Sequence, residues 1–390
     1  MTETRVRLLA LSEFFPHASH VHEGICAKEQ LENTPDIDLE MIFAPRLIYP
    51  PFRRYKSQRY TGEISDDKVA LPKKRIHMPY VPKIAEYYLP WLYFKFVAIV
   101  FKNMGLRCNL IHTHWAYRSG YAGAKLARLL GVPLVISVWG SDLHTWLQEE
   151  RKQHKIRYAL RHASIIIVVN KEFRSILVAE GISQRRIRII SPGVSLQKFR
   201  PESSIEAEGI RKAYRQRFLI VCIANLYPIK GIDLLLNARA LMKKQAEILI
   251  VGEGPEKLRL ENLVETLQLW DSVTFKPQCP HQKVSTYLNA ADLVCIPSER
   301  EGGPVILLEA LACGRPVVSA DVGYAAACLT RRDIGIVLDE RSPACLAQAL
   351  DEAAGKRWIT AKIRRHALQF CIKKSGAEIQ QAYQDALAQG

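Results

Sequence analysis

Short, nearly unbroken apolar runs recur along the chain, each followed by a stretch with helical spacing of apolar positions. In the first half they lie near Val6–Leu11, Leu39–Ala44, Asn109–His112, Leu134–Val138, Ile165–Val169 and Ile187–Ile190. In the second half they lie near Phe218–Ala224, Ile248–Val251, Val273–Phe275, Leu293–Ile296, Pro316–Ser319 and Ile334–Leu338. A strand with one face in water alternates apolar and polar positions. Runs that are apolar throughout predict parallel strands buried on both faces. The pattern occurs twice, which predicts an α/β chain of two doubly wound domains. The break is expected around Phe199–Gly209, where Arg200-Pro201-Glu202-Ser203-Ser204 reads as a linker.

A chain of 390 residues, 48% of them apolar, can bury two ordinary cores. Nine cysteines without a CxxC pair predict reduced thiols and a cytoplasmic setting rather than a disulfide framework. The apolar stretch after Met1–Arg7 is too short for a signal peptide and reads as a first strand. Charge changes the picture more. Of the net +16, residues 1–200 supply 31 Lys and Arg against 17 Asp and Glu, while residues 201–390 hold 24 against 22. A basic first half implies an anionic partner: membrane headgroups, lipid diphosphates or nucleic acid. Ten basic residues fall between positions 51 and 100, among them Arg53, Arg54, Lys56, Arg59, Lys73, Lys74 and Arg75. The aromatics Tyr87, Tyr88, Trp91, Tyr93, Phe94 and Phe96 follow. Tyr87–Phe101 is too short to span a bilayer and carries Lys95. It reads as an interfacial helix or lid, or as an ordinary amphipathic crossover helix. No nucleic-acid motif accompanies the charge, so nucleic acid is not expected.

Three segments of the second half could carry chemistry. Val251-Gly252-Glu253-Gly254-Pro255 follows a strand and opens a helix, with Pro255 suited to its first turn. Gly252 and Gly254 would let a ligand approach the backbone, although a tight strand-to-helix turn alone explains them too. A full GxGxxG is missing, so a nicotinamide site is not supported. Ala224-Asn225-Leu226-Tyr227-Pro228-Ile229-Lys230-Gly231 again ends a strand, and Lys230 could offset the charge of a departing diphosphate or be a solvated surface lysine. In the third, Glu301 precedes Gly302-Gly303-Pro304, and Glu309 lies in the apolar run that follows. A carboxylate inside such a run needs a partner, and a pair of sugar hydroxyls is one candidate. The spacing places Glu301 at a helix start and Glu309 roughly two turns along; an N-cap acid and a salt-bridged helix acid are the bland alternative.

Pro297–Val318 resembles the signature of retaining glycosyltransferases of family 4, which have the GT-B fold. The pattern there is a Glu, seven residues, a second Glu, then Ala-x-Ala-Cys-Gly-x-Pro-Val-Val. Ala224–Gly231 resembles the family's Gly-Arg-Leu-x-x-x-Lys-Gly donor loop, and Ile250–Pro255 its Val-Gly-x-Gly-Pro turn. Ala290-Ala291-Asp292 with Pro297-Ser298 fits the strand before the acids. In the first half, Ile111-His112-Thr113-His114 and Gly140-Ser141-Asp142 resemble acceptor-side loops, and Ser191-Pro192-Gly193-Val194 with Phe199 fits the end of that domain. The resemblance implies two Rossmann-like domains facing across a cleft: residues 1–201 for the acceptor, 202–368 for the nucleotide sugar, and 369–390 as a helix crossing back to the first. It implies that Glu309 binds the ribose hydroxyls, that Glu301 contacts the donor sugar, and that Lys230 neutralises the diphosphate. Gly302, Gly303, Pro304, Asn225, Gly252 and Gly254 would line the nucleotide site. Gly24, in His20-Val21-His22-Glu23-Gly24-Ile25, would lie near the diphosphate, and His114 would face the sugar or be structural.

The chain departs from the pattern in places. Asn225 stands where Arg is usual, and Trp139 where His precedes Gly-Ser-Asp. Ser191-Pro192-Gly193-Val194-Ser195 replaces Pro-Asn-Gly-Val-Asp, and Gly323-Tyr324-Ala325-Ala326-Ala327 replaces Gly-Gly-x-x-Glu. No metal and no cofactor are expected; Asp36-Ile37-Asp38 reads as a solvated loop. The expected activity is metal-independent, retaining sugar transfer from a nucleotide-diphosphate sugar to a glycan or polyprenyl-diphosphate-linked acceptor. The setting would be bacterial surface polysaccharide synthesis, in the cytoplasm with peripheral contact on the inner face of an anionic membrane. The alternatives are a catalytically weak transferase-like partner subunit, which Asn225 and Trp139 keep open, and a nucleotide-sugar 2-epimerase.

Overall fold

A computed structural model describes residues 5–16, 24–48, 73–79, 85–214 and 217–389. It divides into two compact units, one of Met1–Pro192 with Lys373–Gly390 and one of Gly193–Ile372.

The first unit holds a seven-stranded sheet: β1 (Val6–Ser12), β2 (Ile37–Ile48), β3 (Lys73–Pro79), β4 (Leu110–His114), β5 (Leu134–Ser137), β6 (Ile165–Val168) and β7 (Ile187–Ile189). Their order is β3-β2-β1-β4-β5-β6-β7, every pairing parallel. All five residues of β4 and all four of β5 and β6 are buried, as covering both faces with helices requires. All six runs foreseen in this half are strands; β3 was not foreseen. The stretch around Tyr87–Phe101 is a crossover helix, Ala85–Asn103, between β3 and β4. Leu89, Tyr93, Val97 and Phe101, spaced by four, form its buried stripe, and the Tyr93 hydroxyl donates to the carbonyl of Phe43 at 2.8 Å. Arg53, Arg54, Lys56 and Arg59 lie outside the described residues. The Asp-x-Asp is not wholly a loop. Asp36 sits in a turn with φ 52°, and Asp38 already belongs to β2, 3.8 Å from Arg5.

The last helix, Ile372–Leu387, completes this unit's core. Ile379, Ala382, Tyr383 and Ala386 are at most 1% exposed and pack among residues of β1, β2 and β4 to β6. The Tyr383 hydroxyl meets His112 Nδ1 at 2.7 Å, and His112 Nε2 meets Ser137 Oγ at 2.9 Å.

The second unit holds β8 (Phe218–Ile223), β9 (Ala246–Val251), β10 (Val273–Lys276), β11 (Leu293–Ile296), β12 (Val317–Ser319) and β13 (Gly335–Val337). Their order, β10-β9-β8-β11-β12-β13, is again wholly parallel, and all six were foreseen. Strand order reverses direction between β8 and β11. In open α/β sheets, ligands bind outside the carboxyl ends of the strands at such a switch point. Among the described residues, no helix is long and apolar enough to cross a membrane.

Candidate functional site

Three loops leave the carboxyl ends of β9, β8 and β11, neighbours in the second sheet. After β8 the chain makes one 3-10 turn, Pro228–Lys230, and Gly231 at φ 64° passes it into the helix Ile232–Leu241. A Cβ on Gly231 would lie 2.3 Å from the carbonyl oxygen of Pro297, so the β8 and β11 loops touch there without room for a side chain. The Glu299 amide donates to the carbonyl of Ile229 at 2.8 Å and fixes their register. The glycines after β9 serve a similar fit. A Cβ on Gly252 would sit 1.9 Å from the Ala224 carbonyl oxygen, and one on Gly254 2.4 Å from that of Leu226.

Lys230 and Glu301, from separate motifs, meet across the switch point. Lys230 Nζ donates to Glu301 Oε1 at 2.7 Å, and Ser298 Oγ donates to the same oxygen at 2.8 Å. Both charged side chains are largely covered, at 26% and 16% exposure. The lysine is thus no solvated surface cation. An ammonium has three N–H donors, so two remain for another anion.

Three positional expectations need correction. Glu301 is not at a helix start. The helix begins at Val305 with Pro304 as its N-cap, because proline constrains the residues before it and cannot donate into the loop. Glu309 is therefore the fifth helical residue, just over one turn in. Pro255 likewise precedes its helix, which starts at Lys257. Gly302 and Gly303 form the loop ahead of Pro304. A Cβ on Gly303 would fall 2.2 Å from the Tyr324 ring, so the two meet there without room for a side chain.

Glu309 is 4% exposed, on a helix whose other residues are all apolar. Its Oε1 lies 2.6 Å from His281 Nε2, which comes from the helix His281–Ala290. No sequence spacing pointed to His281, whose contact spans 28 positions, whereas the bond from Ser298 to Glu301 is local, three positions apart. Asn225 receives Gln278 Nε2 at 3.4 Å, so it is held by an amide.

His114 and Gly24 belong to the first unit. His114 ends β4, is fully buried, and stacks on Trp139 at 6.3 Å. Neither ring nitrogen has a hydrogen-bond partner among the described residues, and burial pushes its pKa down to about 3. His112 beside it, ring centroids 4.2 Å apart, is also pushed well down, by burial first and then by His114. Gly24 sits before the helix Ile25–Asn33 at φ 68°, where a Cβ would lie 2.2 Å from the Phe14 carbonyl oxygen. His20–Glu23, the rest of that loop, lie outside the described residues. Gly140-Ser141-Asp142, expected as a loop, opens a short helix, Gly140–His144, and Asp142 accepts the amides of Ala116 at 2.7 Å and Trp139 at 2.8 Å, which ties that helix to the segment after β4.

Residues 205–368 match the family model described as glycosyl transferases group 1, and residues 48–198 match that of glycosyltransferase family 4. The chain belongs to these glycosyltransferases. A D-inositol 3-phosphate glycosyltransferase of Thermomonospora curvata is 29% identical over 290 residues, 66% of this chain and 67% of that one. The putative teichuronic acid biosynthesis glycosyltransferase TuaC of Bacillus subtilis is 26% identical and covers 88% of both chains. Among solved structures, Anabaena HepE in complex with UDP superposes with a TM-score of 0.74 at 18% identity, covering 96% of this chain and 98% of that one. Sucrose-phosphate synthase from Thermosynechococcus elongatus gives a TM-score of 0.77 at 21%, covering 98% and 100%. These neighbours give the glycosyltransferase its fold, GT-B.

Proposed function

We propose that this glycosyltransferase moves a sugar from a nucleotide-diphosphate sugar to a glycan or polyprenyl-diphosphate-linked acceptor with retention of anomeric configuration, in bacterial surface polysaccharide synthesis. The Lys230–Glu301 contact at 2.7 Å across the β8/β11 switch point carries the reading. One N–H of Lys230 holds the sugar-facing acid, and the other two are free to take oxygens of the departing diphosphate. The amides of Gly302 and Gly303 lie beside them, ahead of a helix, where an anion is favoured. Glu309 would take the ribose hydroxyls, and Asn225, Gly252 and Gly254 would line the nucleotide. The bond from the anomeric carbon to the diphosphate breaks, the acceptor oxygen bonds to that carbon on the same face, and the leaving phosphate takes the acceptor proton. No metal is needed in this scheme, because fixed amides and one ammonium oppose the developing charge.

The test is a panel of nucleotide sugars with and without lipid-diphosphate acceptors, in EDTA, with product configuration read by NMR. Lys230→Met is expected to lower kcat by roughly a hundredfold to a thousandfold, and Glu301→Gln to do comparable damage. Unchanged donor binding and turnover in both variants would sink the catalytic reading and favour a partner subunit. An epimerised donor formed without acceptor would favour the 2-epimerase.

Membrane contact is part of the proposal. On the helix Ala85–Asn103, Tyr88, Trp91 and Ile99 are 56%, 45% and 55% exposed along one stripe with Lys95, whose ammonium lies 5.3 Å from the Trp91 ring. Exposed aromatics interleaved with lysine suit an anionic headgroup layer. Flotation with anionic but not neutral vesicles at low salt is expected; no flotation with either removes this part.

A further inference from the structure

A buried carboxylate that must accept two vicinal hydroxyls faces a geometric demand beyond charge. The diol needs both acceptor directions at a fixed spacing, yet a glutamate side chain turns about three bonds. Glu309 meets this demand in an otherwise apolar helix, and its plane is set from outside that helix. His281 Nε2 approaches Oε1 at 2.6 Å, and the imidazole is 16% exposed. Its ring is braced by Phe199, centroids 5.4 Å apart, and its backbone is fixed as the first residue of the helix after Pro280. A carboxylate offers about four acceptor positions, so one N–H from His281 leaves capacity for a diol while stopping rotation of the group.

We propose that His281 is a positioning residue that holds the Glu309 carboxylate in the orientation that accepts the donor's ribose hydroxyls. This rests on the reading of Glu309 as the ribose acceptor. Without the imidazole the carboxylate must be ordered by the nucleotide itself, and that ordering weakens binding. The loss falls on the ribose and not on the base or the diphosphate, which a merely structural role for the pair would not produce.

The experiment measures calorimetric affinities of the full chain for whichever of UDP, GDP and ADP it binds most tightly, and for the 2′,3′-dideoxy form of that nucleotide. His281→Phe keeps a ring against Phe199 and removes the donor; His281→Gln restores an N–H donor. Wild type is expected to prefer the ribonucleotide by tenfold or more. In His281→Phe the ribonucleotide should weaken by about tenfold while the dideoxy form binds as before, and His281→Gln should recover part of the preference. An undiminished preference in His281→Phe, or an equal loss for both ligands with a lowered melting temperature, overturns the positioning role alone. Wild type without ribose preference overturns the role of Glu309. Wild type that binds none of the three overturns the donor-site reading itself.

Discussion

Burial of His112 and His114 makes the first unit sensitive to acid in a calculable way. Unfolded, each imidazole titrates near 6.5; folded, burial holds His114 near 3 and His112 well below its ordinary value. The unfolded chain therefore binds protons that the folded chain refuses. The stability each neutral ring contributes is present above pH 6.5 and is lost as pH falls from there toward the folded value. One such group costs about 1.4 kcal/mol per pH unit inside that window. Going from about pH 7.5 to about pH 5.5, His114 alone should cost roughly 1 kcal/mol, and His112 adds to the loss in the same direction. For a unit of this size the His114 share alone is about 2–4 °C in melting temperature. Asp142 works the other way. Burial, opposed by its two backbone hydrogen bonds, raises its carboxyl to about 7, so the folded state gains a proton over the same range. The informative quantity is therefore the difference between wild type and His112→Gln/His114→Gln, since both carry Asp142. Denaturant melts at a series of pH values should show a smaller acid loss in the variant, by at least about 1 kcal/mol across those two units. Parallel pH profiles for wild type and variant would refute the reasoning, whatever their offset.

Tyr383→Phe removes one hydroxyl and leaves His112 Nδ1 without its partner at zero exposure; a loss of about 1–3 kcal/mol is expected in urea melts. Gly252→Ala drives a Cβ to within 1.9 Å of a backbone oxygen and should cost more than about 2 kcal/mol. Gly209→Ala, in the helix Ile205–Ala213 with open space around the new methyl, should instead stabilise by about 0.5–1 kcal/mol. Thermal melts of both variants decide the pair.

The twelve apolar runs were legible because a strand buried on both faces has no freedom in its composition. β3 escaped because it reads Lys-Lys-Arg-Ile-His-Met-Pro, the charged composition that protects an edge strand from further pairing, and it lies at the sheet's edge. Lys230 and Glu301 were visible through their glycine-rich loops, but their mutual bond was not, since 71 residues separate them. Helix starts were misplaced by a few residues at Pro304 and Pro255, where loop geometry outweighs local spacing. His281 carried no signal: a histidine after a proline on an amphipathic helix is unremarkable until Glu309 is brought beside it. The His112–Tyr383 bond spans 271 positions and belongs to tertiary structure alone.

The assignment of Lys373–Gly390 to the first unit has a consequence for synthesis on the ribosome. Domains ordinarily fold as they emerge, amino-terminal first, at about 5–20 residues per second. Here Ile379, Ala382, Tyr383 and Ala386 fill the core between strands made hundreds of residues earlier. The nascent first sheet must therefore wait, with that slot open and His112 unpartnered by Tyr383, while the whole of Gly193–Ile372 is translated. At those rates the delay is about 10–40 s. The unit made first is thus the last to be finished, and during that interval its apolar floor is available to chaperones or to other nascent chains.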